Sequence, residues 1–281
     1  MFLVLALFIF SLVVNVYLLL GLEHSEALSW NPRYMLLKNL IVSDLLQTLT
    51  FAPSTLYCLL SRTTLSFSLG CLSSFFTGAL AIITSLLTVA SMALERFIYT
   101  CHGIHYLAFM TKIRMYYFVT LIWLLGVAGA GTSTILVMVE KVKFEGIVAG
   151  LVCEPEVLQA QMKEPMYFDL FNKVFIGTLL ILCLLMFLFS YGRMYQEACQ
   201  VQQPFQQDNV RARCTISFYF AIFLLQLFPN VITFITLCGK DVNNQMYMYV
   251  LILVPSCVNP LAYGIRNVEV RQALKRLCGL K

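Results

Sequence analysis

The stretch CLSSFFTGALAIITSLLTVASMALERFIY, residues 71–99, decides the class of fold. It carries no charged side chain from Cys71 to Leu94, and its first charges, Glu95 and Arg96, come close to its end. A helix needs about 20 apolar residues to cross the roughly 30 Å hydrocarbon core of a bilayer. The stretch therefore predicts a transmembrane helix with an acidic and a basic residue near one end.

Six further stretches of the chain are similarly apolar. The seven predicted spans lie at approximately residues 2–22, 34–60, 71–99, 115–139, 166–195, 214–237 and 245–265. Their pattern is not that of strands, and lipid cannot satisfy open backbone groups. We therefore predict an all-α fold, with a seven-transmembrane-helix bundle in residues 1–265 and a cytoplasmic C-terminal segment, residues 266–281, that forms a short amphipathic helix.

The composition supports an integral membrane protein. Of 281 residues, 60% are hydrophobic and 12% are charged, whereas soluble domains carry about 25% charged residues. So little charge excludes disorder, a collagen and a nucleic-acid-binding protein. A signal peptide over the first span is disfavoured, because that span has no basic leader or small-residue cleavage site.

The distribution of Lys and Arg predicts the orientation. With Met1 outside, 13 of the 19 basic residues lie on the cytoplasmic side and 6 outside, as the positive-inside rule requires. We expect a multi-pass protein of the plasma membrane with its N-terminus outside and its C-terminus in the cytoplasm.

Polar residues inside the spans are candidates for function, since an ionisable group costs roughly 2.5–3.5 kcal/mol in the bilayer. Asp44 lies well inside span two, and Asn15 and Asn259 lie inside spans one and seven. We predict that these three form a mid-bundle polar cluster. Pro255 and Pro260 interrupt span seven and favour a bend there.

Several motifs follow one another in a recognisable order. They are Asn15, Asp44, Glu95-Arg96-Phe97, Trp123, Tyr191, Pro229 and Asn259-Pro260-Leu261-Ala262-Tyr263. With these residues the chain resembles a rhodopsin-like (class A) G-protein-coupled receptor over nearly its whole length.

Two stretches are similar to odorant (olfactory) receptors in particular. MALERFIYTCHGIHY, residues 92–106, resembles the signature MAYDRYVAICHPLHY, and NPLAYGIRNVEVRQAL, residues 259–274, resembles the end of that group's span seven. Glu95, Phe97 and Gly103 depart from the signature. The resemblance is therefore to a divergent branch of the odorant receptors.

The resemblance implies roles for individual residues. Activation and G-protein coupling fall to Glu95, Arg96, Tyr191, Asn259, Pro260 and Tyr263. Arg96 pairs with Glu95 when the receptor is inactive and is freed when span six swings outward, and Tyr191 and Tyr263 then turn inward. The resemblance also implies a Cys71–Cys153 disulfide and a possible sodium ion at Asp44. Cys278 follows the basic residues Arg271, Lys275 and Arg276, which makes it a candidate either for palmitoylation or for a plain thiol.

The resemblance places the ligand in the outer half of the bundle, between spans three, five, six and seven. The expected ligand-binding residues are Phe75, Gly78, Ala79, Ile82, Asn172, Phe175, Ile176, Asn230, Phe234 and Tyr249. The expected partners are a small organic odorant, membrane lipid and a heterotrimeric G protein of the stimulatory type, with no cofactor. Sensory cilia are the expected location.

Three alternatives remain at this point. One is a rhodopsin-like receptor for another small ligand, and a less favoured one is a transporter, which needs polar residues along a continuous route. An intramembrane enzyme is disfavoured because all three histidines lie outside the spans. Gly126-x-x-Gly129-x-Gly131 in span four is interpreted as a helix-packing motif.

Overall fold

The fold is known from a computed structural model. It describes residues 2–24, 31–61, 69–103, 106, 110–139, 158–159, 166–200, 206–239, 245–265 and 267–277. Within these ranges the side chains at 59, 61, 69, 198, 200, 206–212, 239, 245–250, 263, 265, 268 and 277 lie outside the description.

Eight α-helices account for nearly all of the described chain. They are α1 (Phe2–His24), α2 (Pro32–Ser61), α3 (Leu69–Cys101), α4 (Lys112–Val139), α5 (Met166–Gln200), α6 (Gln206–Gly239), α7 (Gln245–Asn259) and α8 (Val268–Leu277). A π-helical turn, Pro260–Ile265, continues α7. The predicted all-α, seven-helix bundle with a short C-terminal amphipathic helix is confirmed. The division at residue 265 into a receptor domain and a cytoplasmic segment stays a prediction.

Five of the helices are long and apolar enough to cross a membrane. They are α1, α3, α4, α5 and α6. The α2 helix is as long, but it buries polar side chains inside the bundle, among them Asn39, Asp44 and Gln47. In α7 the apolar stretch Leu251–Ala262 is shorter.

The α3 helix is the centre of the bundle. Its apolar window is 72% buried, against 22–39% for the other four spanning helices, and it packs against α2, α4, α5 and α6. At one end of α3, Cys71 and Phe75 pack with Leu158 and Phe168. We call this the Cys71 end and the opposite one the Arg96 end.

The proline that follows α7 explains one set of contacts with α1. Pro260 has no N–H, so the carbonyl of Ser256, four residues earlier, loses its helical partner. Asn15 Nδ2 donates to this carbonyl at 3.0 Å and Ser11 Oγ donates to it at 3.3 Å. Polar side chains of α1 therefore stabilise the interrupted end of α7.

The α8 helix docks beneath α1 and α2. Asn267 caps it, since its Oδ1 accepts from the Glu269 backbone N–H at 3.0 Å, as an N-cap residue does. Val270, Ala273 and Leu274 are buried, whereas Arg271, Lys275 and Arg276 are exposed. Tyr17 Oη also donates to the Leu274 carbonyl at 3.2 Å. One face of this amphipathic helix is thus fixed to the bundle.

Candidate ligand cavity and coupling site

A cavity of about 100 Å³ lies in the half of the bundle nearer the Cys71 end. Its floor and walls come from six helices, α2 to α7, and most of its surface is aliphatic or aromatic. The lining residues are Phe51, Phe75, Ala79, Ile82, Ile83, Leu86, Ala130, Ser133, Asn172, Phe175, Ile176, Leu179, Asn230, Thr233 and Ile252.

Seven of the ten residues predicted to bind ligand line this cavity. They are Phe75, Ala79, Ile82, Asn172, Phe175, Ile176 and Asn230. Gly78 does not: a Cβ there would lie 2.7 Å from Phe51 Cζ, so the glycine lets α2 and α3 approach closely. Phe234 lies against Gly177 instead, and the side chain of Tyr249 lies outside the described residues.

The main addition to the predicted lining is α4, which contributes Ala130 and Ser133. Ser133 Oγ donates to Asn172 Oδ1 at 2.8 Å, and Asn172 Nδ2 donates to the Phe168 carbonyl at 2.9 Å. Sequence reasoning missed this wall because span four is apolar all round, which hides its inward face. A serine four residues after Gly129 was the available signal.

The mid-bundle polar cluster is built on Asp44. Its carboxylate accepts from Asn259 Nδ2 at 3.1 Å and from Ser85 Oγ at 3.2 Å, and Gln226 Nε2 donates to that serine at 2.7 Å. These contacts join α2, α3, α6 and α7. The cluster lies between the ligand cavity and the Arg96 end.

The third predicted member, Asn15, joins the cluster only indirectly. Asn15 Nδ2 donates to Ser11 Oγ at 3.1 Å, Ser11 and Thr48 share a hydrogen bond of 2.8 Å, and Thr48 Oγ1 donates to the Asp44 carbonyl at 2.8 Å. The described residues contain no group of three or more His, Cys, Asp or Glu that could bind a metal ion. A sodium ion at Asp44 stays a prediction.

At the Arg96 end, Glu95 is held by residues from outside its own helix. It is 2% exposed, and its carboxylate lies 3.7 Å from Arg33 Nε and accepts from Tyr106 Oη at 2.7 Å. Burial, and then the charge of Glu95, raise the pKa of the Tyr106 phenol above its ordinary value. That phenol therefore stays protonated and donating across the physiological pH range.

Arg96 contacts a different set of side chains. Its guanidinium carbon lies 3.5 Å from the ring centroid of Tyr219 on α6, and the guanidinium hydrogen-bonds the Tyr191 hydroxyl on α5. This arrangement differs from the expected resting state, in which Arg96 pairs with Glu95. In this structure Arg33 and Tyr106 hold the Glu95 carboxylate, and Arg96 bridges α5 and α6.

An aromatic stack extends from this bridge into the bundle. Phe187 stacks on Tyr191 with ring centroids 4.2 Å apart and on Phe223 with centroids 3.5 Å apart. Because the stacked rings belong to α5 and α6, movement of α6 must break or slide this stack. The stack thus joins α5 to α6 directly next to the contacts of Arg96.

A second cavity, of about 380 Å³, surrounds Arg96. Arg33, Tyr99 and Tyr219 line it together with Arg96 and Tyr191. Arg33 also lies over the Tyr99 ring, 4.7 Å from its centroid. Tyr99, Tyr106 and Tyr219 were not predicted as site residues, although the first two lie within the quoted signature.

The remaining predicted residues have varied positions. Pro260 is buried at the start of the π-helical turn, and the side chain of Tyr263 lies outside the described residues. Cys71 is disulfide-bonded. Its predicted partner, Cys153, lies outside the described residues, as does Cys278, so the pairing and the palmitoylation stay predictions.

Comparison with known proteins bears on the identity of this bundle. Residues 14–263 match the 7 transmembrane receptor (rhodopsin family). Olfactory receptor 2AG1 of Homo sapiens is 28% identical, with 97% of this chain and 86% of the relative covered. Olfactory receptor 11A1 of Homo sapiens is also 28% identical, with coverages of 98% and 87%.

A further relative, olfactory receptor 11H7 of Homo sapiens, is 26% identical over 99% of this chain and 89% of its own length. The predicted resemblance is confirmed, and so is a multi-pass membrane protein. The chain belongs to the rhodopsin family of seven-transmembrane receptors, and within that family it is olfactory-receptor-like.

Proposed function

We propose that this chain is an odorant receptor. A small organic molecule binds in the cavity nearer the Cys71 end, and a heterotrimeric G protein of the stimulatory type binds at the Arg96 end. The relatives named above are olfactory receptors, which supports this assignment. The proposal includes an orientation with the Cys71 end outside the cell and the Arg96 end in the cytoplasm.

The observation that carries the proposal is a pair of cavities at opposite ends of the same helices. The first cavity is lined by α3 from Phe75 to Leu86 and the second from Met92 to Thr100. The α5 and α6 helices also contribute to both. A ligand that binds more tightly to one packing of these helices shifts the population of that packing, and the shift reaches the second cavity along shared helices.

The contacts of Arg96 support coupling at this end. The open state expected from the resemblance has Arg96 away from Glu95 and Tyr191 turned inward, and the arrangement described here has both features. A guanidinium in an open cavity offers donors to the carbonyls or carboxylate of a polypeptide end. The basic residues of this face also favour anionic lipid, which supports the cytoplasmic orientation.

The test is a screen of small odorants on cells that express this chain together with an olfactory-type stimulatory G protein. We expect ligand-dependent cAMP production and ligand-dependent nucleotide exchange on the G protein in isolated membranes. Epitope tags at the two ends check the orientation. Transport of a solute without nucleotide exchange would overturn the receptor assignment in favour of a carrier.

A further inference from the structure

The ligand cavity has an uncharged wall. None of its described lining residues is acidic or basic, and its polar members are Ser133, Asn172, Asn230 and Thr233. Transfer of an unpaired ion into such surroundings is strongly unfavourable, whereas a neutral molecule loses little hydration. The cavity therefore selects for neutral ligands.

Asn172 is the best-placed hydrogen-bond donor on this wall. It is 4% exposed, as is Ser133. The Ser133 hydroxyl holds the amide oxygen at 2.8 Å, and one amide N–H is used by the Phe168 carbonyl at 2.9 Å. The described contacts leave the second N–H of this amide for an acceptor inside the cavity. By contrast, the described bond of Asn230 is to Gln226 in its own helix, so a second helix does not fix its orientation.

Gly129 on α4 controls a second property, the space next to Asn172. A Cβ at this position would lie 2.4 Å from Phe175 Cζ and 2.7 Å from Phe175 Cε1. The Phe175 ring therefore occupies room that only a glycine leaves. On α5, this ring stacks on Phe171 with centroids 5.4 Å apart. Since Phe175 lines the cavity, any side chain at 129 must displace the ring.

From these observations we infer the class of ligand and the residues that select it. The ligand is a neutral organic molecule with one hydrogen-bond-accepting oxygen, and Asn172, oriented by Ser133, donates to that oxygen. Gly129 sets the largest ligand that the cavity admits, because it seats the Phe175 ring against α4. This inference rests on the proposed function, since it assumes that the cavity is the ligand site.

The chain offers matched controls on the same helix. A Cβ at Gly131 meets no atom within 4 Å, so Gly131→Ala adds the same methyl group in open space. Thr134 is next to Ser133 in sequence, but its hydroxyl donates to the Ala130 carbonyl in its own helix at 2.8 Å. Thr134→Ala therefore removes a hydroxyl without affecting Asn172.

The experiment measures binding to the purified full-length receptor in detergent, as the rise in melting temperature with ligand concentration. The ligands are unbranched methyl ketones of increasing length, the alkanes of equal length, and the corresponding carboxylates and alkylammonium ions. The same compounds are applied in the cAMP assay. Melting temperatures without ligand show whether each variant is folded.

We expect ketones to bind more tightly than alkanes of equal length, and neither class of ion to bind. Ser133→Ala should weaken ketone binding about tenfold, the effect of one lost hydrogen bond. Gly129→Ala should weaken binding of the longest accepted ketone about tenfold, as the loss of room for one methylene does, and leave the shorter ketones unaffected. Phe175→Leu should extend the accepted length, and Gly131→Ala and Thr134→Ala should change neither property.

Other results distinguish the two proposals. If ketones bind but Gly129→Ala and Gly131→Ala behave alike, or if Ser133→Ala leaves the preference over alkanes intact, the ligand inference is wrong and the receptor function stands. If only the carboxylates or alkylammonium ions bind, the ligand inference is likewise wrong and the receptor function stands. If no compound in this series or in the odorant screen binds or signals, both proposals are overturned.

Discussion

The two cavities described above, at opposite ends of the bundle, differ in size and in chemistry. The one nearer the Cys71 end has about 100 Å³ and an uncharged lining, whereas the one around Arg96 has about 380 Å³ and is lined by two arginines and several tyrosines. A small neutral ligand suits the first, where packing and one or two hydrogen bonds provide the affinity. A polypeptide with acceptor groups suits the second. One set of helices therefore lines two cavities of different chemistry at its ends.

The region between these two cavities is polar. There the buried Asp44 cluster joins α2, α3, α6 and α7 through hydrogen bonds. Hydrogen bonds between buried groups have strict geometry, so a helix shift at one end changes them. Substitutions at either end of the bundle or in the Asp44 cluster therefore test whether the two cavities act as proposed.

The largest effect is expected from Arg96→Ala. Loss of the guanidinium removes the contacts with Tyr219 and Tyr191, and agonist-driven cAMP should fall to background. The variant should still bind ligand, since no residue lining the other cavity is altered, and its affinity should change only as far as the two helix packings shift. Arg271→Ala, at an exposed position of α8, is the control and should signal normally. Retained nucleotide exchange in Arg96→Ala would contradict the assigned role of this end.

Cys71→Ser should disrupt the Cys71 end of the bundle, where we propose that the ligand binds. With the predicted partner Cys153 the disulfide closes a loop of about 80 residues, for which chain entropy gives about 4–5 kcal/mol. We expect a large fall in melting temperature and loss of ligand binding. If Cys153 is the partner, Cys153→Ser and the double variant should lower the melting temperature equally. Cys238→Ser, which removes an exposed free thiol, is the control, and an additive double variant would refute the predicted pairing.

Asp44→Ala tests the middle layer. It leaves the buried amide of Asn259 and the hydroxyl of Ser85 without their acceptor, at about 1–3 kcal/mol of folding free energy for each. Thermal unfolding should show the loss, and Asp44→Asn should show a smaller one. The control is Ser43→Ala, because that hydroxyl donates to the Asn39 carbonyl within α2. Equal melting temperatures for Asp44→Ala and Ser43→Ala would show that the cluster contributes no stability.

The smallest effect is expected from Arg33→Met, which tests whether Arg33 keeps Glu95 from pairing with Arg96. Arg33 is 34% exposed, so its ion pair with Glu95 is worth less than about 1 kcal/mol. Without it Glu95 is available to Arg96, and agonist-driven cAMP should fall by up to about fivefold. Lys38→Ala, whose ammonium lies 3.8 Å from Glu23, should change little. A rise in signalling for Arg33→Met would show that Arg33 restrains the receptor.

The sequence was sufficient for the fold and for part of each site. Apolar stretches predicted the seven helices, although only five of the described ones are long and apolar enough to cross a membrane. A buried carboxylate such as Asp44 needs donors, which leads to Asn259. The contact of Asn15 was half predictable, because a proline at 260 leaves the carbonyl of residue 256 without a partner. Which side chain donates to that carbonyl depends on how α1 packs against α7. This packing cannot be predicted from the sequence pattern.

Two features of the structure were not predicted, for identifiable reasons. Neighbours in a helix do not face each other, so in this structure Glu95 contacts Arg33 of α2, and Arg96 contacts α5 and α6. The pairing of Glu95 with Arg96 that is expected in the inactive receptor stays a prediction. The wall formed by Ala130 and Ser133 was missed because hydrophobic periodicity is weak in a helix that faces lipid on one side and an apolar cavity on the other.

The docking of α8 has a consequence for biosynthesis. A Cβ at Gly21 in α1 would lie 2.4 Å from Leu274 Cδ2, and Tyr17 donates to the Leu274 carbonyl. The α1 helix is therefore completed by a helix that is translated after all seven helices of the bundle. Until α8 is made, the surface of α1 around Gly21 stays uncovered. A chain that stops before residue 268 should therefore be retained by the quality-control machinery of the cell, even though all seven of its bundle helices have been made.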